Sequence, residues 1–280
     1  MRLARFGLSD GIPRLGRVDG DEIVDLTEEF GPSLRALLPS LAERGDELRA
    51  ARGPRHPLSG VTLLAPIDDP QKYLGIGMNY ARHAEEAERA GIPIPTSQMW
   101  FNKQVSCIND PYGDLVKPAF SDELDYELEL GVVIGTRCKD VPVEDARSVI
   151  AGYLVANDVS VRDWLQKLSP TFTLGKSFDT HGPIGPWLTT DDEIDDPLAL
   201  RMRLSVNGEV RQDADTGDMI YDIYEQIAYL SRVMTLMPGD ILATGTPSGI
   251  GAPTRSFLKA GDVVRAEIEG LGAIENTVVA

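Results

Sequence analysis

Alternating polar and apolar positions predict a β-strand near the middle of the chain. Glu127 and Glu129 alternate there with Tyr126, Leu128 and Leu130, and a further apolar run follows. Successive side chains on a strand point to opposite faces, so both carboxylates would lie on one face, about 6.5 to 7 Å apart at the backbone. Two carboxylates this close can share one hard divalent cation. The same pattern is also typical of an amphipathic strand with a solvated acidic face, and this stretch alone favours the solvated face.

The beginning of the chain predicts a small α+β module. Strand patterns cover residues 3–6, 15–18 and 22–26. The Asp19-Gly20 pair between the last two is typical of a hairpin turn. Leucines at helical spacing then predict one helix over about residues 33–51.

A segment rich in Gly, Pro and Arg, residues 52–60, predicts a linker after this module. We therefore expect a small N-terminal α+β domain, residues 1–65, and a main domain, residues 66–280. The main domain contains strand patterns at residues 73–77 and 149–156 and one long amphipathic helix at residues 220–234. Because strands and helices do not alternate regularly, we expect the α+β class with a strand-dominated main domain.

His83 lies on a predicted helix that follows the strand at residues 73–77, with Asn79 as a good N-cap. Glu86 is three residues further on and faces His83 on such a helix. A carboxylate partner fixes the tautomer of a His and suits it for general-base work. An exposed His beside a Glu on a polar helix face is the commoner outcome, and the pair alone does not decide between them.

Two further charged residues follow the central strand. Asp158 lies at the end of the apolar run over residues 149–156, where a carboxylate is well placed for function, although it could equally cap a following helix. Lys176 lies in a Gly-Lys-Ser sequence, and a surface lysine is the default interpretation for it.

The composition narrows the function classes. The chain has 44 acidic and 27 basic residues, a net charge of -17, which argues against nucleic acids and anionic membranes as partners. Its two cysteines, Cys107 and Cys138, have neither disulfide-framework nor zinc-site spacing, so a reducing, cytoplasmic setting is expected. The N-terminal stretch lacks the apolar core of a signal peptide, and no apolar run is long enough to span a membrane.

Six motifs in order carry a family resemblance. They are LGIGMNYARHAEEA, DYELELGVVIG, NDVSVRDW, GKSFDTHGPIGPW, MPGDILATGTPSGIG and AGDVVRAEIEGLG. Together, over roughly residues 70 to 280, they resemble the fumarylacetoacetate hydrolase superfamily. The N-terminal hairpin and helix also resemble the small leading domain of many bacterial members. The resemblance implies a mixed β-roll catalytic domain that forms a homodimer.

The resemblance also implies a set of site residues. Its Mg2+ or Mn2+ ion would be held by Glu127, Glu129 and Asp158. His83 and Glu86 match the general-base dyad of the family, and Lys176 matches its active-site lysine. The remaining candidates bind substrate: Gly245 and Thr246 lie in the matching TGTP loop that lines the pocket, and Arg162 is a candidate partner for a second substrate carboxylate because its planar fork suits one.

The expected substrate is a 2-oxo or 2,4-dioxo acid, which can chelate the cation through its carboxylate and keto oxygens. The leading hypothesis is hydrolytic carbon-carbon cleavage of an acylpyruvate or fumarylpyruvate-like acid in catabolism. Isomerisation of 2-hydroxydienoates and decarboxylation of oxaloacetate are alternatives on the same scaffold. An alternative from another class is a non-catalytic β-protein that Ca2+ stabilises.

Overall fold

The computed structural model describes residues 1–89, 91, 93–168 and 171–280. The strands in these ranges are β1 Arg2–Gly7, β2 Pro13–Asp19, β3 Glu22–Asp25, β4 Arg55–Pro57, β5 Thr62–Leu64, β6 Tyr73–Gly77, β7 Met99–Lys103, β8 Ile108–Asn109, β9 Leu115–Val116, β10 Leu124–Asp125, β11 Leu128–Ile134, β12 Ile150–Asn157, β13 Ser160–Val161, β14 Gly182–Thr190, β15 Arg201–Val206, β16 Glu209–Asp215, β17 Ile241–Ala243, β18 Val263–Ile268 and β19 Gly272–Val279.

The α-helices are α1 Thr27–Phe30, α2 Leu34–Leu37, α3 Gly45–Ala50, α4 Ala81–Arg89, α5 Phe172–Gly175 and α6 Ile223–Val233. A π-helical turn spans Trp164–Leu168, and 3-10 turns connect several of the other elements. None of the helices in the described ranges has the length and apolar character needed to cross a membrane.

Most strands belong to one large mixed sheet. Its order is β4-β3-β2-β1-β14-β12-β11-β17-β6-β7, with β5 paired to β1 and β8 paired to β14. A five-stranded sheet, in the order β16-β15-β18-β19-β9, packs beside it, and β10 pairs with β13. The expected strand-dominated, mixed β architecture with some helices is confirmed.

The central strand β11 divides its side chains between two hydrophobic clusters. Leu128, Leu130 and Val132 pack in the cluster that includes the five-stranded sheet and α6, whereas Val133 packs in the cluster under the N-terminal module. Glu129 shares the face of Val133 because side chains alternate along the strand. β11 pairs with β12 on one side and β17 on the other, with Leu128 opposite Asn157.

The N-terminal module is joined to the large sheet. The predicted hairpin is confirmed, since β2 and β3 pair with Asp19 opposite Glu22. β1 pairs with β14, with Leu3 opposite Leu188, so the sheet continues through the expected boundary. The division near residue 65 stays a prediction.

Two expectations for this module are wrong. The single helix over residues 33–51 is broken into α2, a 3-10 turn at Leu38–Ser40 and α3. Pro39 lies in that turn, where its missing N–H and its ring oppose a continuing helix. The expected linker contains β4, which extends the sheet by pairing with β3, because backbone pairing outweighs the turn propensity of its sequence.

The long helix of the main domain is confirmed as α6, with ends slightly inside those expected. Its N-cap is Asp222, whose side chain accepts hydrogen bonds from the backbone N–H groups of Tyr224 and Glu225. The Glu225 side chain accepts in return from the backbone N–H of Asp222 and completes a capping box.

Candidate active site

Three carboxylates converge at one end of the β11–β12 pair. Glu129 lies in β11, Glu127 directly precedes it, and Asp158 directly follows β12. The backbone N–H of Asp158 donates to the Glu127 carbonyl over 2.8 Å, which continues the strand pairing beyond both strands. One oxygen from each carboxylate lies within 4.8 Å of the others.

All three carboxylates are buried. Glu127, Glu129 and Asp158 expose 6%, 1% and 0% of their surface, so the interpretation of a solvated acidic strand face is wrong. The alternative in which Asp158 caps a helix is also wrong, because the next residues form β13. Charged side chains are buried only when other groups compensate them.

Lys176 supplies part of that compensation. Its Nζ donates to Glu127 Oε2 over 2.6 Å and to Asp158 Oδ2 over 2.7 Å. The lysine is 3% exposed, so the default interpretation as a surface lysine is wrong. Burial lowers the pKa of Lys176, but the Asp158 and Glu127 carboxylates outweigh that effect and raise it above its ordinary value.

Three further groups donate hydrogen bonds to these carboxylates. Lys103 Nζ donates to Asp158 Oδ1 over 2.6 Å, and Arg162 donates to Glu127 Oε1 over 2.5 Å. The backbone N–H of Gly245 donates to Glu129 Oε2 over 2.8 Å. Each carboxylate therefore has at least one oxygen bound by a group of the protein.

The two glutamates titrate in opposite directions. Burial alone would raise the pKa of Glu127, but Lys176 and Arg162 lower it to about 2. Burial raises the pKa of Glu129 well above its ordinary value, and the Asp158 and Glu127 carboxylates raise it further. In the absence of a cation the cluster therefore holds an ionised Glu127 beside a Glu129 that favours its proton.

His83 and Glu86 form the expected pair on α4. His83 Nδ1 lies 3.3 Å from Glu86 Oε2, and the two side chains are 12% and 23% exposed. His83 lines a cavity of about 90 Å3 together with Glu127, Lys176 and Thr246. The structure thus brings the candidate base to the carboxylate cluster.

Apolar side chains also line this cavity. Its lining includes Met99, Phe101, Leu165 and Phe172. The Phe101 and Phe172 rings pack with centroids 5.6 Å apart, and Lys176 Nζ lies 5.2 Å from the centre of the Phe101 ring. A bound molecule would thus meet charged and aromatic groups that lie next to each other.

The TGTP loop supports the cluster through its backbone. Gly245 has a φ of 101°, and a Cβ at this position would lie 2.7 Å from the Asn79 Cβ, so both conformation and space require glycine. Thr246 Oγ1 donates to the Leu128 carbonyl and accepts from Gln212 Nε2. The loop is therefore fixed against β11.

Arg162 is also held by the protein itself. Its Nε donates to Asp125 Oδ2 over 2.8 Å in addition to its bond with Glu127. The two carboxylates outweigh the effect of burial and raise the pKa of Arg162 further above its ordinary value. Its expected role in binding a second substrate carboxylate stays a prediction.

Sequence reasoning missed Lys103, Asp125 and the role of Asn79. Lys103 ends β7, and the apolar Met99, Trp100 and Phe101 before it were the available signal for this strand. Asp125 is fully buried and accepts from Arg162 and from two backbone N–H groups of residues 251 and 252. Asn79 does not have a free side chain for the predicted cap, because it bonds to Tyr221 and to the Thr244 carbonyl.

The donor set fits a hard divalent cation. Glu127, Glu129 and Asp158 offer only oxygen atoms, which Mg2+ and Mn2+ prefer over nitrogen or sulfur. Their oxygens are close enough to surround one ion.

Several known proteins are similar to the whole of this chain. A mitochondrial oxaloacetate tautomerase, fahd2, from Xenopus laevis is 43% identical over 292 residues, which cover 100% of this chain and 90% of the relative. The maleylpyruvate hydrolase from Sphingobium sp. SYK-6, solved with manganese(II) and pyruvate, is 36% identical with a TM-score of 0.85 and covers 100% and 99% of the two chains.

The name of a third relative refers to another reaction. The 2-hydroxyhepta-2,4-diene-1,7-dioate isomerase from Mycobacterium marinum is 35% identical with a TM-score of 0.79 and covers 100% and 98% of the two chains. Two family models divide the sequence between them: the Rv2993c-like, N-terminal model matches residues 1–66, and the fumarylacetoacetate (FAA) hydrolase C-terminal model matches residues 72–279. The chain therefore belongs to the fumarylacetoacetate hydrolase family.

Proposed function

We propose that the protein binds a 2-oxo acid through a divalent cation, Mg2+ or Mn2+, and moves a proton at the carbon next to the oxo group. The observation that carries this proposal is the cavity that His83 shares with Glu127 and Lys176, beside Glu129 and Asp158. Glu127, Glu129 and Asp158 would hold the cation. When bound, it supplies Lewis-acid polarisation of the substrate oxygens.

His83 is the proposed base. Its Nδ1 faces the Glu86 carboxylate, which favours a proton on that nitrogen and leaves Nε2 free to accept one. Lys176 is the proposed partner of developing negative charge on the substrate, because its ammonium group lines the same cavity. His83 would therefore transfer protons, and Lys176 would stabilise the negative charge that develops on the substrate.

The first candidate reaction is enol–keto tautomerisation of oxaloacetate. Its support is the Xenopus laevis relative, which is named for this reaction and is 43% identical over the whole of this chain. Tautomerisation needs one proton to leave oxygen and one to reach carbon, and a single base beside a chelated 2-oxo acid can serve both steps.

The second candidate is the hydrolysis that the sequence favours. In it His83 would take a proton from a water molecule, whose oxygen adds to the distal carbonyl of an acylpyruvate or fumarylpyruvate-like acid. The carbon-carbon bond between that carbonyl and the neighbouring methylene would then break, and the pyruvate enolate that leaves would take up a proton on carbon. Its support is the structural match to a maleylpyruvate hydrolase that holds manganese(II) and pyruvate. The Mycobacterium marinum relative is named for isomerisation of a 2-hydroxydienoate. The assays described below would also detect that reaction.

The test compares substrates with one enzyme preparation. Freshly dissolved enol-oxaloacetate, acetylpyruvate and 2-hydroxyhepta-2,4-dienedioate are supplied with Mg2+ or Mn2+, and the products are identified by NMR. We expect tautomerisation of oxaloacetate, and we expect both His83→Gln and Glu127→Gln to abolish it. His56→Gln is the matched control, since His56 lies on β4 far from the cavity. Full activity of His83→Gln on every substrate would refute the proposal.

The Ca2+-stabilised, non-catalytic alternative has no support from the relatives, which are enzymes. The homodimer and the cytoplasmic location stay predictions.

A further inference from the structure

In each of the three carboxylates one oxygen accepts a hydrogen bond from a group other than Lys176. The three pairs are Lys103 with Asp158 Oδ1, Arg162 with Glu127 Oε1, and the Gly245 N–H with Glu129 Oε2. The other oxygens are Asp158 Oδ2, Glu127 Oε2 and Glu129 Oε1. Lys176 bridges the first two of these. One oxygen of each carboxylate lies within 4.8 Å of the others, and the shared bond to Lys176 brings Glu127 Oε2 and Asp158 Oδ2 together.

Lys103 is the most completely enclosed of these groups. Its side chain is 0% exposed, and its Nζ also donates to the His181 carbonyl over 3.1 Å. The Tyr73 ring lies on another side, with its centre 5.8 Å from Nζ. Lys103 is absent from the lining of the active-site cavity. Its direct contact with the carboxylate cluster is therefore through Asp158.

Lys176 differs from Lys103 in its access. It lines the cavity and donates to one oxygen of Glu127 and one oxygen of Asp158. A cation at the cluster would compete with Lys176 for those oxygens, whereas the bond between Lys103 and Asp158 Oδ1 would be left in place. A cation would thus displace Lys176 from Asp158, whereas Lys103 would stay bound to it.

We propose that Lys103 is a positioning residue that keeps Asp158 a one-oxygen ligand. This inference rests on the proposed cation site. A carboxylate can bind a cation through one oxygen or two, and Mg2+ accepts only about six ligands in an octahedral shell. With one oxygen each from Glu127, Glu129 and Asp158, about three positions stay open. A chelating 2-oxo acid takes two of them.

Removal of Lys103 would free Asp158 Oδ1. The carboxylate could then turn both oxygens towards the cation and occupy a position that the substrate needs. Loss of a positive charge so close to the site also favours the cation. We therefore expect cation binding to be retained or tightened while binding of the chelating acid weakens. If Lys103 only neutralised a buried carboxylate, its removal would not weaken binding of the chelating acid while leaving cation binding intact.

The test uses Lys103→Met with Mn2+ as the probe ion. Three quantities are measured: the Mn2+ dissociation constant, the number of water molecules on bound Mn2+ from water-proton relaxation, and the affinity of the Mn2+ protein for oxalate. We expect Mn2+ binding at least as tight as in the wild type, about one water molecule fewer, and oxalate affinity lowered by at least about 10-fold.

Lys72→Met is the matched control. Lys72 Nζ donates to the buried Asp240 over 2.8 Å, which is a lysine–aspartate pair outside the cavity. It should lower stability without changing the water count or the oxalate affinity. If Lys103→Met also leaves the water count and the oxalate affinity unchanged, the inference is overturned. Failure of the wild type to bind Mn2+ would instead refute the proposed function.

A measurement on the wild type covers the case in which Lys103→Met does not fold. In a crystal structure with Mn2+, one Asp158 oxygen should contact the ion while Lys103 stays on the other. Contact of both Asp158 oxygens with Mn2+ would overturn the inference.

Discussion

Replacement of Glu129 by Gln should stabilise the cation-free protein although it removes a proposed ligand. Burial raises the pKa of Glu129 well above its ordinary value, and the Asp158 and Glu127 carboxylates add to this effect. The folded, cation-free protein therefore keeps a proton on Glu129 at pH values where the unfolded chain has released it. Gln has nearly the same shape and carries no such proton.

The size of the effect follows from proton linkage. When the folded-state pKa is raised, the group contributes its full stability below the unfolded pKa, about 4.3 for Glu, and this contribution is lost as the pH rises towards the folded pKa. Within this window the wild type loses about 1.4 kcal/mol per pH unit relative to Glu129→Gln. The free energy of unfolding of Glu129→Gln should therefore exceed that of the wild type by a margin that increases with pH.

Urea unfolding in the presence of a chelator measures this difference. Free energies of unfolding are compared at about pH 5, 6 and 7 for the wild type, Glu129→Gln and Glu43→Gln, where Glu43 is an exposed control. The wild type and Glu43→Gln should follow the same curve. A constant difference between the wild type and Glu129→Gln, or one that shrinks with pH, would show that Glu129 is ionised in the folded, cation-free protein.

Added Mn2+ should reverse the order of the two proteins. A ligand that binds only the folded state at 100 times its dissociation constant stabilises by about 2.7 kcal/mol. The wild type should gain this amount, whereas Glu129→Gln should gain little because it lacks one of three carboxylate ligands. Equal stabilisation of both proteins by Mn2+ would place the ion elsewhere.

Three further outcomes are expected. His83→Gln should lower turnover by about 100-fold or more. Glu86→Gln should lower it less, because Glu86 only orients the base. Equal losses for the two variants in steady-state kinetics would contradict this division of roles. Asp222→Ala should cost about 1 kcal/mol in urea unfolding through loss of the α6 capping box and leave turnover unchanged, whereas no loss of stability would show that the cap is dispensable. A chelator should abolish turnover and lower the melting temperature, and Mg2+ or Mn2+ should restore both; persistent turnover after exhaustive chelation would refute a cation requirement.

Local pattern was sufficient for part of the site. Glu127 and Glu129 are separated by one residue, and the period of two along β11 directly predicts that they share a face. His83 and Glu86 are three residues apart on α4, so helical spacing predicts their contact. The Asp19-Gly20 turn similarly predicts the β2–β3 hairpin. In each case the interacting residues are neighbours in sequence.

The groups that sequence reasoning missed interact over long separations. Lys103 and Asp158 are 55 residues apart, and Asn79 bonds to groups 142 and 165 residues away. Propensity scales describe a residue in its own segment, so they indicated a cap at Asn79 and no role for Lys103. Burial of the carboxylates is also a tertiary property, which is why β11 alone favoured a solvated face.

Pairing of β1 with β14 has a consequence for expression of the catalytic part alone. A chain cut at the limit of the N-terminal family model, residue 66, would leave part of β14 as an edge strand with unpaired backbone groups. It would also uncover Leu154, Ile184 and Leu188, which pack in one cluster with Leu3 and Leu15. Unpaired edges and exposed apolar patches promote aggregation. The N-terminal module thus protects the catalytic sheet from self-association, and the truncated chain should aggregate at concentrations where the whole chain stays dispersed.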